Sequence, residues 1–100
     1  MAKHCLSLVC SPDIAEKLPD SLLISLPEQV FTSTFTFSHG TPHGRLSGAE
    51  KVMGRSNSMQ IQLIVEEDQL HSTLAVARRD FKGTGLYFWA YELSAEGVIE

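Results

Sequence analysis

Phenylalanine and threonine alternate along the segment Val30 to His39, and this period of two is the pattern that most constrains the fold. Aromatic and β-branched residues in alternation are typical of a β-strand with one face turned to a core. Shorter alternating runs predict three further strands, over residues 4–10, 59–65 and 86–93. The chain is therefore expected to build a sheet.

Two segments between these strands have the spacing of an amphipathic helix. The first begins at Ser11, Pro12 and Asp13, an order that suits an N-cap, a first helical residue and an acidic first turn. Pro19 lies inside this helix and is expected to kink it or to end its first half, because proline lacks a backbone N–H donor. Asp68 is expected to cap the second helix.

The resulting order is strand, helix, strand, strand, helix, strand. This is the order of the split βαβ, ferredoxin-like α+β sandwich, an antiparallel sheet with two helices on one face. The last strand, residues 86–93, has apolar side chains on both faces, so we expect both to be buried. Because the helices cover one face only, a subunit interface is expected to cover the other.

Length and charge exclude several classes of protein. One hundred residues suffice for a single domain, residues 1–100. Eight basic residues against twelve acidic ones give a net charge of −4, which argues against a nucleic-acid partner. No long apolar segment or signal-peptide pattern is present, so we expect a soluble, cytoplasmic protein without membrane insertion. Cys5 and Cys10 leave opposite faces of the first strand and are expected to be free, buried thiols.

The connection between the second and third strands, residues 40–58, is far longer than an ordinary hairpin loop. His39 and His43 at its start could bind a transition metal such as Zn, Cu or Ni. A metal site needs three or four ligands, so Glu50, Cys10 or a histidine of a neighbouring subunit would have to complete it. The alternative is that both histidines only hold the loop in shape.

The same loop is locally basic within an acidic protein. Its candidate ligand-binding or partner-binding residues are Gly44, Arg45, Ser47, Glu50, Lys51 and Arg55. The basic members suit an anion such as a nucleotide or a carboxylate, although scattered charges are also common on any solvated loop. Ser47 and Glu50 have the spacing of a capping box, which makes a short helix the alternative role for Glu50.

Residues 39–55 read H-G-x-x-H-G-x-L-S-x-A-E-x-V-x-G-R, and this run between strands two and three resembles a PII-like branch of unknown function. Genes of that branch often accompany those of heavy-metal efflux pumps of the resistance-nodulation-division type. The resemblance implies a homotrimer with three sheets facing one another, and a mobile loop, the T-loop, that binds effectors or partners. In PII proteins proper, the loop before the last strand helps to bind nucleotide phosphates. Here that loop is only Lys82-Gly83-Thr84-Gly85, so Lys82 is a possible anion contact and a nucleotide is less favoured than a transition metal.

The sequence shows no nucleophile elbow or comparable catalytic spacing, so we predict no enzymatic activity. We expect a regulatory protein that senses a small effector or a metal through residues 40–58 and modulates a transporter such as a heavy-metal efflux system. The alternatives are a transition-metal-binding protein in metal tolerance and an assembly module without a ligand.

Overall fold

The structure is a computed structural model that describes residues 2–25, 30–39 and 55–100, without the side chains of residues 23–25 and 55. Its elements, in chain order, are β1 (Lys3–Cys10), α1 (Pro12–Ser25), β2 (Phe31–His39), β3 (Arg55–Glu66), α2 (Glu67–Phe81) and β4 (Tyr87–Glu92). The strands form one antiparallel sheet in the order β2-β3-β1-β4. The predicted ferredoxin-like α+β arrangement is confirmed.

The core lies between the two helices and one face of the sheet. Side chains at alternate positions of β1 and β3 point to this face and meet the apolar stripes of the helices. The core cluster consists of Leu6, Leu8, Cys10, Leu18, Leu22, Ile61, Leu63, Val65 and Phe81. Burying a leucine-sized side chain stabilises a fold by about 1.5–3 kcal/mol, so this layer supplies much of the driving force for folding.

Helix α1 continues through Pro19 to Ser25, so of the two predicted effects the end of its first half is wrong. Proline removes a single donor, the N–H that would bond to the carbonyl group four residues earlier. Leu18 and Leu22 on either side of it are fully buried against the sheet. Because the packing of this apolar stripe is retained, the loss of one hydrogen bond does not end the helix.

Strand β3 begins at Arg55, earlier than the predicted Met59. Its first residues are polar on both faces and so lack the alternation that indicates a strand. They nevertheless pair with β2, and the Oγ atoms of Ser38 and Ser58 lie 2.7 Å apart. Arg55 and the residues after it therefore begin a strand, although the loop was predicted to reach residue 58. Pairing with β2 stabilises this part of the strand, which has no alternation of apolar side chains.

Helix α2 has Glu66 as its N-cap rather than the predicted Asp68. The N–H of Glu66 donates to Oε1 of Gln69 at 2.9 Å, and the N–H of Gln69 donates to Oδ1 of Asp68 at 3.0 Å. Asp68 lies in the first turn, where its charge complements the helix dipole. At the other end, Gly83 has a φ of 82°, as expected for a glycine just past a helix C-terminus.

Strand β4 is exposed on both faces in the single chain, so the predicted burial of its helix-facing side is wrong, and burial of its other side by a second subunit stays a prediction. Trp89 and Tyr91 are 41% and 50% exposed on the face without helices, and Phe88 is 42% exposed on the other face. The reason is position: β4 is an edge strand with β1 as its one neighbour, and the helices pack chiefly over β1 and β3. Neither described helix is long and apolar enough to cross a membrane.

Candidate functional site

The paired strands β2 and β3 form an arm that extends past the rest of the sheet. Their register runs from Phe31 opposite Leu63 to His39 opposite Arg55. Strand β1 ends at Cys10, opposite Met59 of β3, so the first residues of β3 have β2 as their one strand neighbour. The described ends of the arm, His39 and the backbone of Arg55, therefore lie beyond the end of β1.

The described part of the chain contains only some of the predicted site residues. His39 is the last residue of β2 and is exposed at the end of the arm, opposite the backbone of Arg55. The other predicted loop residues lie outside the described residues: His43, Gly44, Arg45, Ser47, Glu50 and Lys51, together with the side chain of Arg55. Within residues 2–25, 30–39 and 55–100, no three His, Cys, Asp or Glu side chains are grouped so that they could hold a metal ion.

Cys10 is placed in the core rather than at a metal site. Its side chain is 1% exposed and packs in the layer beneath the helices. Burial, with a smaller contribution from the charge of Asp13, raises the pKa of the Cys10 thiol to about 11. Because a thiolate is the form that binds metals, Cys10 is a poor candidate to complete the predicted histidine site. The prediction that Cys5 and Cys10 are free and buried is confirmed.

The face of the sheet opposite the helices is called the open face here. Strand register and alternation assign to it Cys5, Ser7, Val9, Thr32, Thr34, Thr36, Gln60, Gln62, Ile64, Tyr87, Trp89 and Tyr91. At its centre, the amide of Gln62 donates to Ser7 Oγ at 3.2 Å. The rings of Tyr87 and Trp89 are tilted against each other with centroids 6.1 Å apart. A row of half-exposed aromatic side chains thus borders a small, buried polar centre.

The polar contacts of the open face continue to its edge. A hydrogen bond with the Cys5 side chain raises the pKa of Tyr91. Cys5 also lies 3.9 Å from the amide nitrogen of Gln62, so tyrosine, cysteine and glutamine side chains from three strands are in contact. The sequence pattern predicted an uncovered face but not this contact, because side-chain register across strands is absent from a single-strand pattern.

Lys82 lies directly after α2 and is exposed. The hydroxyl group of Thr84 donates to the carbonyl oxygen of Phe81 at 2.7 Å, and this bond closes the turn into β4. Among the described residues, Lys82 has no ion-pair partner. Its role as an anion contact stays a prediction.

The sequence as a whole matches one known family. The family described as "Protein of unknown function (DUF3240)" matches residues 1–100. The chain belongs to the DUF3240 family. None of the curated proteins matches it. The PII-like resemblance of residues 39–55 is thus supplemented by a match over the whole chain.

Solved structures share the fold of this DUF3240 protein. A DUF3240 family protein from Shewanella baltica OS155 is 15% identical with a TM-score of 0.78, and the match covers 100% of this chain and 99% of that one. CPII from Thiomonas intermedia K12, solved with ADP, AMP and acetate, is 12% identical with a TM-score of 0.71, over 92% and 86% of the two chains. The periplasmic divalent cation tolerance protein CutA from Archaeoglobus fulgidus is 9% identical with a TM-score of 0.69, over 94% and 86%.

These identities are low, so the likeness concerns the fold. CPII is described as a nitrogen regulatory PII-like protein. The predicted PII-like fold is therefore confirmed for this chain.

Proposed function

We propose that this DUF3240 protein is a non-enzymatic, PII-like regulatory protein that senses a small effector through residues 40–58. The observation that supports the proposal is the β2–β3 arm, whose ends at His39 and Arg55 extend past the end of β1. A segment that connects two paired strands suits contact with a ligand or another protein, because binding residues occur disproportionately on loops held by a scaffold. The fold shared with CPII, which was solved with ADP and AMP, supports an effector of small size.

The proposed working form is a homotrimer in which the open faces meet. The support is the composition of the open face, where Tyr87, Trp89 and Tyr91 are between 41% and 53% exposed in the single chain. Tyrosine and tryptophan are enriched at protein interfaces because they combine large apolar area with a polar group. The two free cysteines suit the reducing cytoplasm, where we place this assembly.

The proposed partner is a membrane transporter, such as a component of a heavy-metal efflux system. The resemblance of residues 39–55 supports this proposal, and the net charge of −4 disfavours nucleic acid as the partner. Capture of detergent-solubilised transporter by the immobilised protein would test it. Equal capture by a variant lacking residues 41–53 would contradict a role of this segment.

The central experiment is native mass spectrometry of the reduced protein during titration with ADP, AMP, ATP and bicarbonate. The same titration is carried out on a variant in which a short glycine–serine turn replaces residues 41–53. This change retains strand β2 up to His39 and strand β3 from Arg55 onward. We expect a trimer that binds up to three effector molecules, and a variant that stays trimeric but loses binding. Unchanged effector binding by the variant would contradict sensing through this segment.

A transition metal such as Zn, Cu or Ni is the second candidate effector. It is favoured by His39, whose exposed imidazole lies at the end of the arm. The name of the Archaeoglobus protein, a divalent cation tolerance protein, gives fold-level support. A His39→Ala, His43→Ala double variant should lose zinc binding, whereas His71→Ala, an exposed histidine on α2, serves as the control. Binding should also weaken near pH 5 as the imidazoles become protonated, and a pH-independent affinity would contradict this site.

A further inference from the structure

A cleft lies between the C-terminal half of α2 and strand β4, at the sheet edge opposite the β2–β3 arm. Its volume is about 430 Å³, within the range of small-molecule sites in proteins. The apolar side chains that line it are Leu8, Leu74, Ala77, Phe81, Leu86 and Phe88. Phe88 points to the helix-covered side of the sheet and yet is 42% exposed, so this part of the core lacks a complete cover.

Two cationic side chains, Arg78 and Lys82, line the same cleft. Neither makes an ion pair with a described side chain, whereas the adjacent Arg79 pairs with Asp80 at 2.9 Å. Among the described residues that line the cleft, none is acidic. An apolar floor with unneutralised positive charge at its border is unusual in a protein whose net charge is −4.

We infer that this cleft binds a small amphipathic carboxylate, with its apolar chain on the floor and its carboxylate group at Arg78 and Lys82. The guanidinium group presents paired donors that match a carboxylate, and the ammonium group adds a second charge. Exposed ion pairs alone contribute little, so the apolar chain must supply most of the affinity. This site is separate from the proposed effector segment at residues 40–58.

Calorimetric titration with butanoate, hexanoate and octanoate tests the apolar half of the inference. Each added methylene group should tighten binding about fourfold until the cleft is filled. Octanol, which has the chain without the charge, should bind more weakly than octanoate. Absence of chain-length dependence, or equal affinity for octanol, would overturn the inference.

Matched variants test the residues. Arg78→Gln and Lys82→Gln should each weaken octanoate binding by about threefold to tenfold, and Arg79→Gln, the same change at a neighbour outside the cleft, should not. Ala77→Met should block the cleft, because the flexible methionine side chain fills the space; thermal unfolding verifies that each variant folds. Equal weakening by Arg79→Gln would overturn the assignment.

The variant that lacks residues 41–53 separates this inference from the proposed function. Octanoate binding should be unchanged in that variant. If octanoate fails to bind the intact protein while ADP binds normally, the cleft assignment fails and the effector proposal stands. If ADP fails and octanoate binds with the expected chain-length dependence, the reverse holds.

Discussion

The two faces of the one sheet differ sharply although the same strands build both. On the helix-covered face, Leu6 and Leu8 are completely buried, whereas on the open face Trp89 and Tyr91 keep about half of their surface. The covered face is apolar and mostly aliphatic over β1 and β3, whereas the open face combines aromatic, glutamine, serine and threonine side chains. Aliphatic residues serve a permanent core, and amphipathic residues tolerate both solvent and a partner. The contrast assigns the covered face to folding and supports the proposed association through the open face.

The largest effect should come from Leu63→Ala on the covered face. Leu63 is 2% exposed, so truncation removes buried surface and leaves a cavity, which costs about 3 kcal/mol in the free energy of unfolding. Ile64→Ala is the matched control, because Ile64 follows Leu63 directly in sequence but points to the open face and is 38% exposed. Urea unfolding at low protein concentration should show a loss below about 1 kcal/mol for Ile64→Ala. Equal losses would contradict the distinction between the faces.

The buried thiol of Cys10, on the covered face, should make the free energy of unfolding depend on pH in the alkaline range. Its folded-state pKa of about 11 exceeds the ordinary value of 9.0, so the folded protein holds this proton more tightly than the unfolded chain. The stabilisation is complete below pH 9 and is lost as the pH rises towards 11, by about 2–3 kcal/mol. Other groups titrate in this range, so the measured quantity is the difference between the parent protein and Cys10→Ala. Parallel curves for the two proteins would contradict the assignment.

On the open face, Trp89→Ala should weaken association more than folding. Truncation of a central interface aromatic costs about 2 kcal/mol or more of binding free energy, which should lower the measured mass at micromolar concentration in sedimentation experiments. Phe35→Ala is the control, because Phe35 is 79% exposed and lies on the other face of β2. An unchanged assembly in Trp89→Ala would show that the open face is not the interface.

The smallest effect concerns neither face but the helix that covers one of them. Gln69→Ala removes the acceptor of the Glu66 N–H and should destabilise the start of α2 by about 1 kcal/mol. Gln62→Ala, on the open face, removes its 3.2 Å bond to Ser7 and provides a comparison. The midpoint of thermal unfolding should be lower for Gln69→Ala than for the parent protein. An unchanged midpoint would show that this cap does not stabilise the fold.

Sequence reasoning was accurate wherever one local pattern decided the outcome. Alternation located all four strands, and helical spacing located both helices, because periodicity reports directly which side chains are buried. It was wrong at Pro19, where packing of the neighbouring leucines outweighs the loss of one donor. It also began β3 too late, because residues 55–58 pair with β2 without an apolar face of their own.

The candidate site was less predictable than the fold. Residues 39–55 are distinctive in composition, and the structure adds that the strands on either side of them, β2 and β3, extend past β1. Cys10 was a possible ligand in the sequence and is a core residue in the structure. The cleft beside Arg78 had no signal in the sequence beyond two basic residues four positions apart, because its walls come from a helix and two strands.

The sequence by itself determined the order of the elements, the fold class and the acidic character of the protein. These properties depend on local periodicity and composition, which neighbouring residues carry without reference to the rest of the chain. Only the tertiary structure decided that β4 is an exposed edge, that Tyr91, Cys5 and Gln62 meet, and that an apolar cleft adjoins two cations. Those features arise between segments distant in sequence, and strand order and register alone bring them together.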